Sequence, residues 1–371
     1  MTKNKHINQF VLMVVFNAIQ YDARVIRTAE VIDKTGIKVI VISNNSDPSY
    51  KNNHFTSISH KTNKKGWRAL LSFWFFVFFF TIRNKNAIRL LYLHDYFMCS
   101  LGVLLSTITG SKWVYDAHEL LIERKDTELS FRRLFFLSLE KINIKQADLV
   151  IAANNERERI MRFVYRLKNT ANVLNISTNI IHNQSENITT KENYIVYQGY
   201  LSKDREIEDY ILLLINLPNN IKLKIIGGGP DLDYFKHLVV KLNLEDRVFF
   251  TGKIPYSQLI EENMNCKVGI VSYSLNGLNN YYCSPNKLYE YAQLKIPMIF
   301  SSQPFLINIA NKYRIGEVIS RKMSEKEKAN LIIKLFDNLN FYQENISSFL
   351  SDYTHDHEMH KLKESIRNLM F

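Results

Sequence analysis

Short apolar runs recur along this chain, each separated from the next by a stretch patterned as helix. That rhythm limits the fold more than any other feature. Phe10-Val11-Leu12-Met13-Val14-Val15 opens the series, followed by a helical stretch over residues 22–34 and then Lys38-Val39-Ile40-Val41-Ile42. Runs at 90–93, 112–115 and 149–152 follow. A second set begins at Tyr194-Ile195-Val196-Tyr197 and continues at 222–226, 248–250, 268–271 and 297–300. Runs this continuous belong to strands buried on both faces, and strands joined by helices pair in parallel. Between the two sets, residues 175–193 are polar and rich in Asn, Ser and Thr, which reads as a linker.

The expected fold class is therefore α/β, with two Rossmann-like βαβ domains. At 371 residues the chain suits two domains of about 150–200 residues better than one. The expected boundaries are 1–185 and 190–350, with residues 351–371 a C-terminal helix packing back on the N-terminal domain. With 46% hydrophobic and 23% charged residues, disordered and collagen-like classes are excluded. Three scattered cysteines, Cys99, Cys266 and Cys283, exclude a disulfide framework or zinc cluster and suit a reducing compartment. Residues 1–9 are polar, so no cleavable signal peptide is expected, and the Asn-X-Ser/Thr triplets at Asn175, Asn187 and Asn345 carry no weight.

The net charge of +12 is unevenly placed. Residues 1–190 hold 26 Lys+Arg against 15 Asp+Glu, and the rest 22 against 21. From Pro48 to His94 there are eight cations, Arg68, Arg83 and Lys85 among them, and no acid. Inside that block lies an apolar run at 69–82 that includes Trp74, Phe75 and Phe78. It is about 14 residues, short of the roughly 20 that span a bilayer. Contiguous aromatics flanked by cations suit a helix at an anionic lipid surface better than a nucleic-acid groove. The alternative is a buried helix on a sheet, and both hold if one face packs inward.

Several strand ends carry residues suited to ligands. Ile226 leads into Gly227-Gly228-Gly229-Pro230, which lets backbone approach a ligand closely but matches neither the dinucleotide fingerprint nor the P-loop. Ser284-Pro285-Asn286-Lys287 reads as a helix start with Ser284 at the N-cap and Pro285 first in the helix. Its N–H groups and Lys287 would suit a diphosphate, and Glu290 a ribose diol; an ordinary capped helix is the alternative. Asp231-Leu232-Asp233 resembles a metal triplet, but at a helix start such acids balance the helix dipole, and no metal site is expected.

Taken in order, these motifs resemble the retaining, GT-B-fold glycosyltransferases of the glycogen-synthase-like family 4 (glycosyl transferases group 1). The series runs Asp22-Ala23-Arg24-Val25, His94-Asp95, Asp116-Ala117-His118-Glu119-Leu120 and Tyr197-Gln198-Gly199 with Arg205. It continues through 226–230, 244–248 and Thr251-Gly252-Lys253-Ile254-Pro255, and ends with Ser284 to Glu290 and Pro297. The resemblance implies two domains facing each other across a cleft and a UDP- or GDP-linked sugar donor held mainly by the second. Arg205, Gly199, Gly228, Lys253, Ile254, Ser284, Asn286, Lys287 and Glu290 would bind that donor. His118, Asp116 and Glu119 would form the catalytic, acceptor-side group. It implies transfer with retention, without a metal or other cofactor, to a lipid-linked or polysaccharide acceptor in bacterial surface glycan synthesis. The enzyme would be cytoplasmic and peripheral at the inner membrane face, with no nucleic-acid partner. The sequence departs from the family at Tyr282, where the first of two glutamates eight apart would stand, and at Tyr200, where many members carry arginine. It departs also at Phe16-Asn17-Ala18-Ile19-Gln20, which replaces a Gly-rich loop. Two other classes remain open from sequence, a sugar-nucleotide epimerase on the same fold and a non-catalytic membrane-binding scaffold.

Overall fold

A computed structural model describes residues 9–124, 130–176, 192–254 and 256–370. Most of the polar stretch read as a linker, and Asn187 with it, lies outside them. The chain divides into two units, residues 1–175 with 356–371, and residues 176–355.

In unit 1 the strands are β1 (Phe10–Val14), β2 (Lys38–Asn44), β3 (Thr56–His60), β4 (Ile88–His94), β5 (Lys112–Ala117), β6 (Leu149–Ala152) and β7 (Thr170–Asn172). They form one sheet in the order β3-β2-β1-β4-β5-β6-β7, parallel at every pairing. The helices are α1 (Ala23–Asp33), α2 (Gly66–Asn84), α3 (Asp95–Cys99), α4 (Gly102–Thr109), α5 (Phe131–Asn143) and α6 (Asn155–Tyr165). The step from β1 to β2 runs one way across the sheet and the steps from β3 to β4, β4 to β5 and β5 to β6 run the other. Right-handed crossovers therefore put α1 on one face and α2, α4 and α5 on the opposite face.

Unit 2 repeats the plan. Its strands β8 (Tyr194–Gln198), β9 (Lys222–Ile226), β10 (Val248–Gly252), β11 (Val268–Val271), β12 (Met298–Phe300) and β13 (Gly316–Val318) lie in the order β10-β9-β8-β11-β12-β13. Here too every pairing is parallel. Helices α7 (Ile207–Leu213), α8 (Leu232–Lys241), α9 (Tyr256–Met264), α10 (Leu278–Tyr281), α11 (Asn286–Gln293), α12 (Pro304–Tyr313), α13 (Glu325–Asp337) and α14 (Leu339–Asp352) connect and cover them.

The last helix, α15 (His355–Met370), buries Leu362, Ile366 and Met370 in the same core as Val25, Ala29 and Ile32 of α1. Each such side chain contributes about 1.5–3 kcal/mol by leaving water. Glu358 of α15 accepts a hydrogen bond from the Leu174 N–H at 2.6 Å, which ties the helix to the strand side of the same core.

Helix α2 spans 19 residues, longer than the apolar run suggested, because Gly66, Trp67 and Arg68 extend it at the N-terminus and Arg83 and Asn84 at the C-terminus. By length and composition alone it is long and apolar enough to cross a membrane. However, Ala69, Leu70, Phe73, Val77 and Thr81 are buried at helical spacing, so one face is committed to the protein core. The opposite face is apolar and open, with Trp67, Leu71, Phe75, Phe79 and Ile82 exposed. This corrects the expected outward set in part. Phe75, Arg68, Arg83 and Lys85 face water, whereas Trp74 and Phe78 are half-buried by the helix's rotation.

Candidate active site

In doubly wound sheets, ligands gather beyond the carboxyl ends of the strands where the strand order reverses. Those points are β1/β4 in unit 1 and β8/β11 in unit 2. The motif residues fall at or beside them.

In unit 1, His94 ends β4, and Asp116 and His118 stand at the end of the adjacent β5. Asp116 is buried and takes a two-pronged contact from Arg24 of α1, with Nη2 at 2.7 Å and Nε at 3.0 Å. The Tyr92 hydroxyl donates to the other carboxylate oxygen at 3.1 Å. Burial opposes ionisation of Asp116, but the Arg24 charge overcomes it and holds the carboxyl at about 2. Arg24 also donates to the Val173 carbonyl at 2.8 Å, so one guanidinium joins α1, β5 and the end of β7.

Above this ion pair sit the histidines. His94 Nδ1 lies 3.5 Å from Asp116 and 3.1 Å from His118 Nε2. Burial pushes the His94 imidazole down to about 3, so it is neutral. His118 is partly open, its carbonyl fixed by Arg157 Nη1 at 2.9 Å, with Nδ1 3.8 Å from Asp95. Asp95 has φ +67, uncommon for a side-chain-bearing residue, and burial raises its carboxyl to about 7 against the pull of His118.

Asp116 therefore differs in role from the sequence expectation. Its carboxylate is enclosed and fully engaged by Arg24 and Tyr92, so it positions the histidines instead of meeting substrate. Glu119 is exposed two positions beyond the strand end, and His118 is the group of the three with both partial exposure and an oriented ring. His94, Asp116 and His118 also bring ligand atoms within 4.8 Å of one another, a spacing that fits a metal. The donor set does not suit one, since a cation there would face the Arg24 guanidinium already seated on Asp116.

In unit 2, Gly199 follows β8 with φ +138, and its N–H bonds the Ile226 carbonyl at 2.9 Å. The Gly227 N–H in turn bonds Gly252 at 2.9 Å. Three strand-end loops are thus laced together. A Cβ on Gly227 would lie 1.9 Å from the Gly199 carbonyl oxygen, and one on Gly229 2.1 Å from that of Leu201, so only glycine fits. Gly228 instead faces the side chain of Lys253, which is exposed beside half-buried Ile254. Asp231 accepts a hydrogen bond from the Lys203 N–H at 2.9 Å and serves the same lacing.

Two cations meet over this loop cluster. The Arg205 guanidinium stands 4.5 Å from the Tyr273 ring, and the Lys287 ammonium lies 4.0 Å from the Tyr197 ring and 5.3 Å from that of Tyr273. Lys287 is buried, and burial together with the Arg205 charge pushes it down to about 7. Neither cation makes a salt bridge among the described residues. Two fixed positive charges without a carboxylate between them form a seat for an anion.

One turn along α11 from Lys287, Glu290 is half-buried and accepts from the Gln198 amide, whose oxygen is bonded by Asn263. The structure corrects the start of α11. Pro285 is the N-cap and the helix begins at Asn286, so Ser284 lies one residue outside the N-cap position. Proline's fixed φ suits either place, which is why sequence alone misjudges it by a residue. Asn286 is exposed, and Tyr282 is half-buried just before the turn. Tyr273, which braces both cations, follows the end of β11; its position past a strand was the only sequence signal for it.

Residues 178–348, most of unit 2, match the family model described as glycosyl transferases group 1. The chain carries a group 1 glycosyltransferase domain. Solved structures resemble nearly the whole chain at low sequence identity, which speaks to the fold, and that fold is GT-B. A sucrose-phosphate synthase from Thermosynechococcus elongatus aligns with a TM-score of 0.74 and 16% identity, covering 97% of this chain and 99% of its own. Anabaena HepE in complex with UDP gives 0.72 and 15%, covering 97% and 100%. WaaG, a glycosyltransferase involved in lipopolysaccharide biosynthesis, gives 0.72 and 13%, covering 96% and 99%. No curated protein matches the chain by sequence.

Proposed function

We propose that this group 1 glycosyltransferase moves a sugar from a nucleoside-diphosphate sugar to an acceptor hydroxyl with retention of configuration. The observation that carries the reading is the paired cations Arg205 and Lys287 beside a glycine-laced strand-end loop, with Glu290 one turn beyond. The cations would take the diphosphate, the glycine loop would let backbone approach it, and Glu290 would accept hydrogen bonds from the ribose. That HepE is seen with UDP favours uridine as the base.

In the reaction the bond between the anomeric carbon and the diphosphate oxygen breaks, and one to the acceptor oxygen forms. The acceptor's proton passes to the departing diphosphate. Charge builds on that leaving group, where Arg205 and a protonated Lys287 are already fixed, so stabilisation needs no reorganisation and no metal ion. In unit 1, His118 would contact the transferred sugar or the acceptor, with His94 and Asp116 holding its ring. A lipid-linked or polysaccharide acceptor, in bacterial surface glycan synthesis at the inner face of the cell membrane, fits the basic, aromatic face of α2.

Calorimetry with UDP and uridine tests the donor site. Arg205→Ala should weaken UDP and leave uridine unchanged. Wild-type UDP affinity in that variant would overturn the assignment.

A further inference from the structure

Three consecutive crossover helices, α2, α4 and α5, lie on one face of the unit 1 sheet, so their outer sides point the same way. We infer that these outer sides form a single docking surface for an anionic lipid bilayer, with α5 as a second anchor beside α2. This rests on the membrane reading of α2 and extends it.

The helices are physically continuous. Trp67 at the start of α2 stacks on Phe136 of α5 at 5.2 Å and 9° and meets Phe135 edge-on at 5.2 Å. Asn143 at the end of α5 accepts from the Val103 N–H of α4 at 3.3 Å. The outward face of α5 is apolar to an unusual degree, with Phe131 83% and Ile142 65% exposed and Leu134 beside them. Leu104 of α4 and the Leu71-Phe75-Phe79 stripe of α2 continue it. Side chains of this size left open across neighbouring helices mark a contact site.

Charge selects the occupant. Lys64, Lys65, Arg68, Arg83 and Lys85 flank α2, and Arg132, Lys141 and Lys145 stand on or just past α5, all exposed. No carboxylate on these three helices faces outward: α2 and α4 contain none, and Glu140 of α5 is buried, accepting from the hydroxyls of Tyr115 and Tyr165. A self-associating face or an acidic protein partner does not require exposed aromatics flanked by cations. An anionic bilayer takes both, with rings at the headgroup level and Lys/Arg toward the phosphates.

The test is co-sedimentation of the full chain with vesicles of phosphatidylcholine containing 30% phosphatidylglycerol, against pure phosphatidylcholine. Three proteins are compared: wild type, Arg132→Gln/Lys141→Gln/Lys145→Gln, and Phe131→Ser/Ile142→Ser. All five positions are exposed, and circular dichroism with an unchanged thermal midpoint checks folding. Wild type should bind the anionic vesicles and leave the neutral ones, and each α5 variant should bind at least tenfold more weakly. If wild type binds but both α5 variants bind equally well, the α5 anchor is wrong while the α2 reading stands. If wild type binds neither vesicle, the membrane reading itself fails. If ultracentrifugation shows a dimer that Phe131→Ser/Ile142→Ser abolishes while vesicle binding is unchanged, the face belongs to a second copy and the inference is overturned.

Discussion

Titrating UDP binding against pH isolates the buried lysine at the centre of the proposed donor site. Burial first and the Arg205 charge second push Lys287 down to about 7 in the free protein. A bound diphosphate supplies the missing counter-charge and returns the ammonium toward its ordinary 10.5. Below pH 7 the lysine is already protonated, and its titration does not affect binding. Above pH 7 the free protein has lost that proton, so binding must take one up and the affinity falls as pH rises. The limit is tenfold, about 1.4 kcal/mol, per pH unit, hence at most about 100-fold between pH 7 and 9. Calorimetry in buffers of different ionisation heats reads both the affinity and the proton taken up. Uridine should show neither effect, and Lys287→Met should abolish the slope for UDP. A flat UDP affinity from pH 7 to 9 with no proton uptake would refute the reasoning.

Other expectations follow from the same contacts. Glu290→Ala should weaken uridine and UDP by equal amounts, roughly 1.5–3 kcal/mol, because it removes a charge-assisted bond to the shared ribose; calorimetry reads it. Asp116→Asn leaves the Arg24 guanidinium buried without its counter-charge and should cost about 3–5 kcal/mol in urea denaturation. The Asp116 carboxyl is depressed to about 2 from 3.8, so its stabilising contribution is complete above about pH 4 and lost as pH falls toward 2, visible in acid denaturation of the wild type. His118→Ala should lower turnover far more than donor affinity, measured by comparing initial rates with calorimetric binding.

Sequence conveyed the two-sheet α/β plan because its central strands are continuous apolar runs. It conveyed the edges poorly. β3 (Thr-Ser-Ile-Ser-His), β7 and β13 went unread, since edge strands are short, and β3 and β7 are polar and half-buried, with little hydrophobic signal. The glycine loop, Lys287 and Glu290 were legible as strand-end and helix-start residues, and Arg205 only through the family resemblance. Their mutual placement was not, because Tyr197 and Tyr273, which brace the two cations, are 76 residues apart in sequence and meet only through the β8/β11 pairing. Likewise, only Ala117 separates Asp116 from His118, which suggested a shared role. The partner that sets them apart, Arg24, lies 92 residues away on α1.

Thermal stabilisation by a panel of UDP- and GDP-sugars in excess EDTA tests the central claim most directly, because a ligand that binds only the folded state raises the melting temperature by mass action. One nucleotide sugar should raise the midpoint by several degrees, with EDTA making no difference and Arg205→Ala abolishing the shift. No stabilisation by any nucleotide sugar, or stabilisation that requires Mg²⁺ or survives Arg205→Ala unchanged, would contradict a metal-free donor site built on the paired cations.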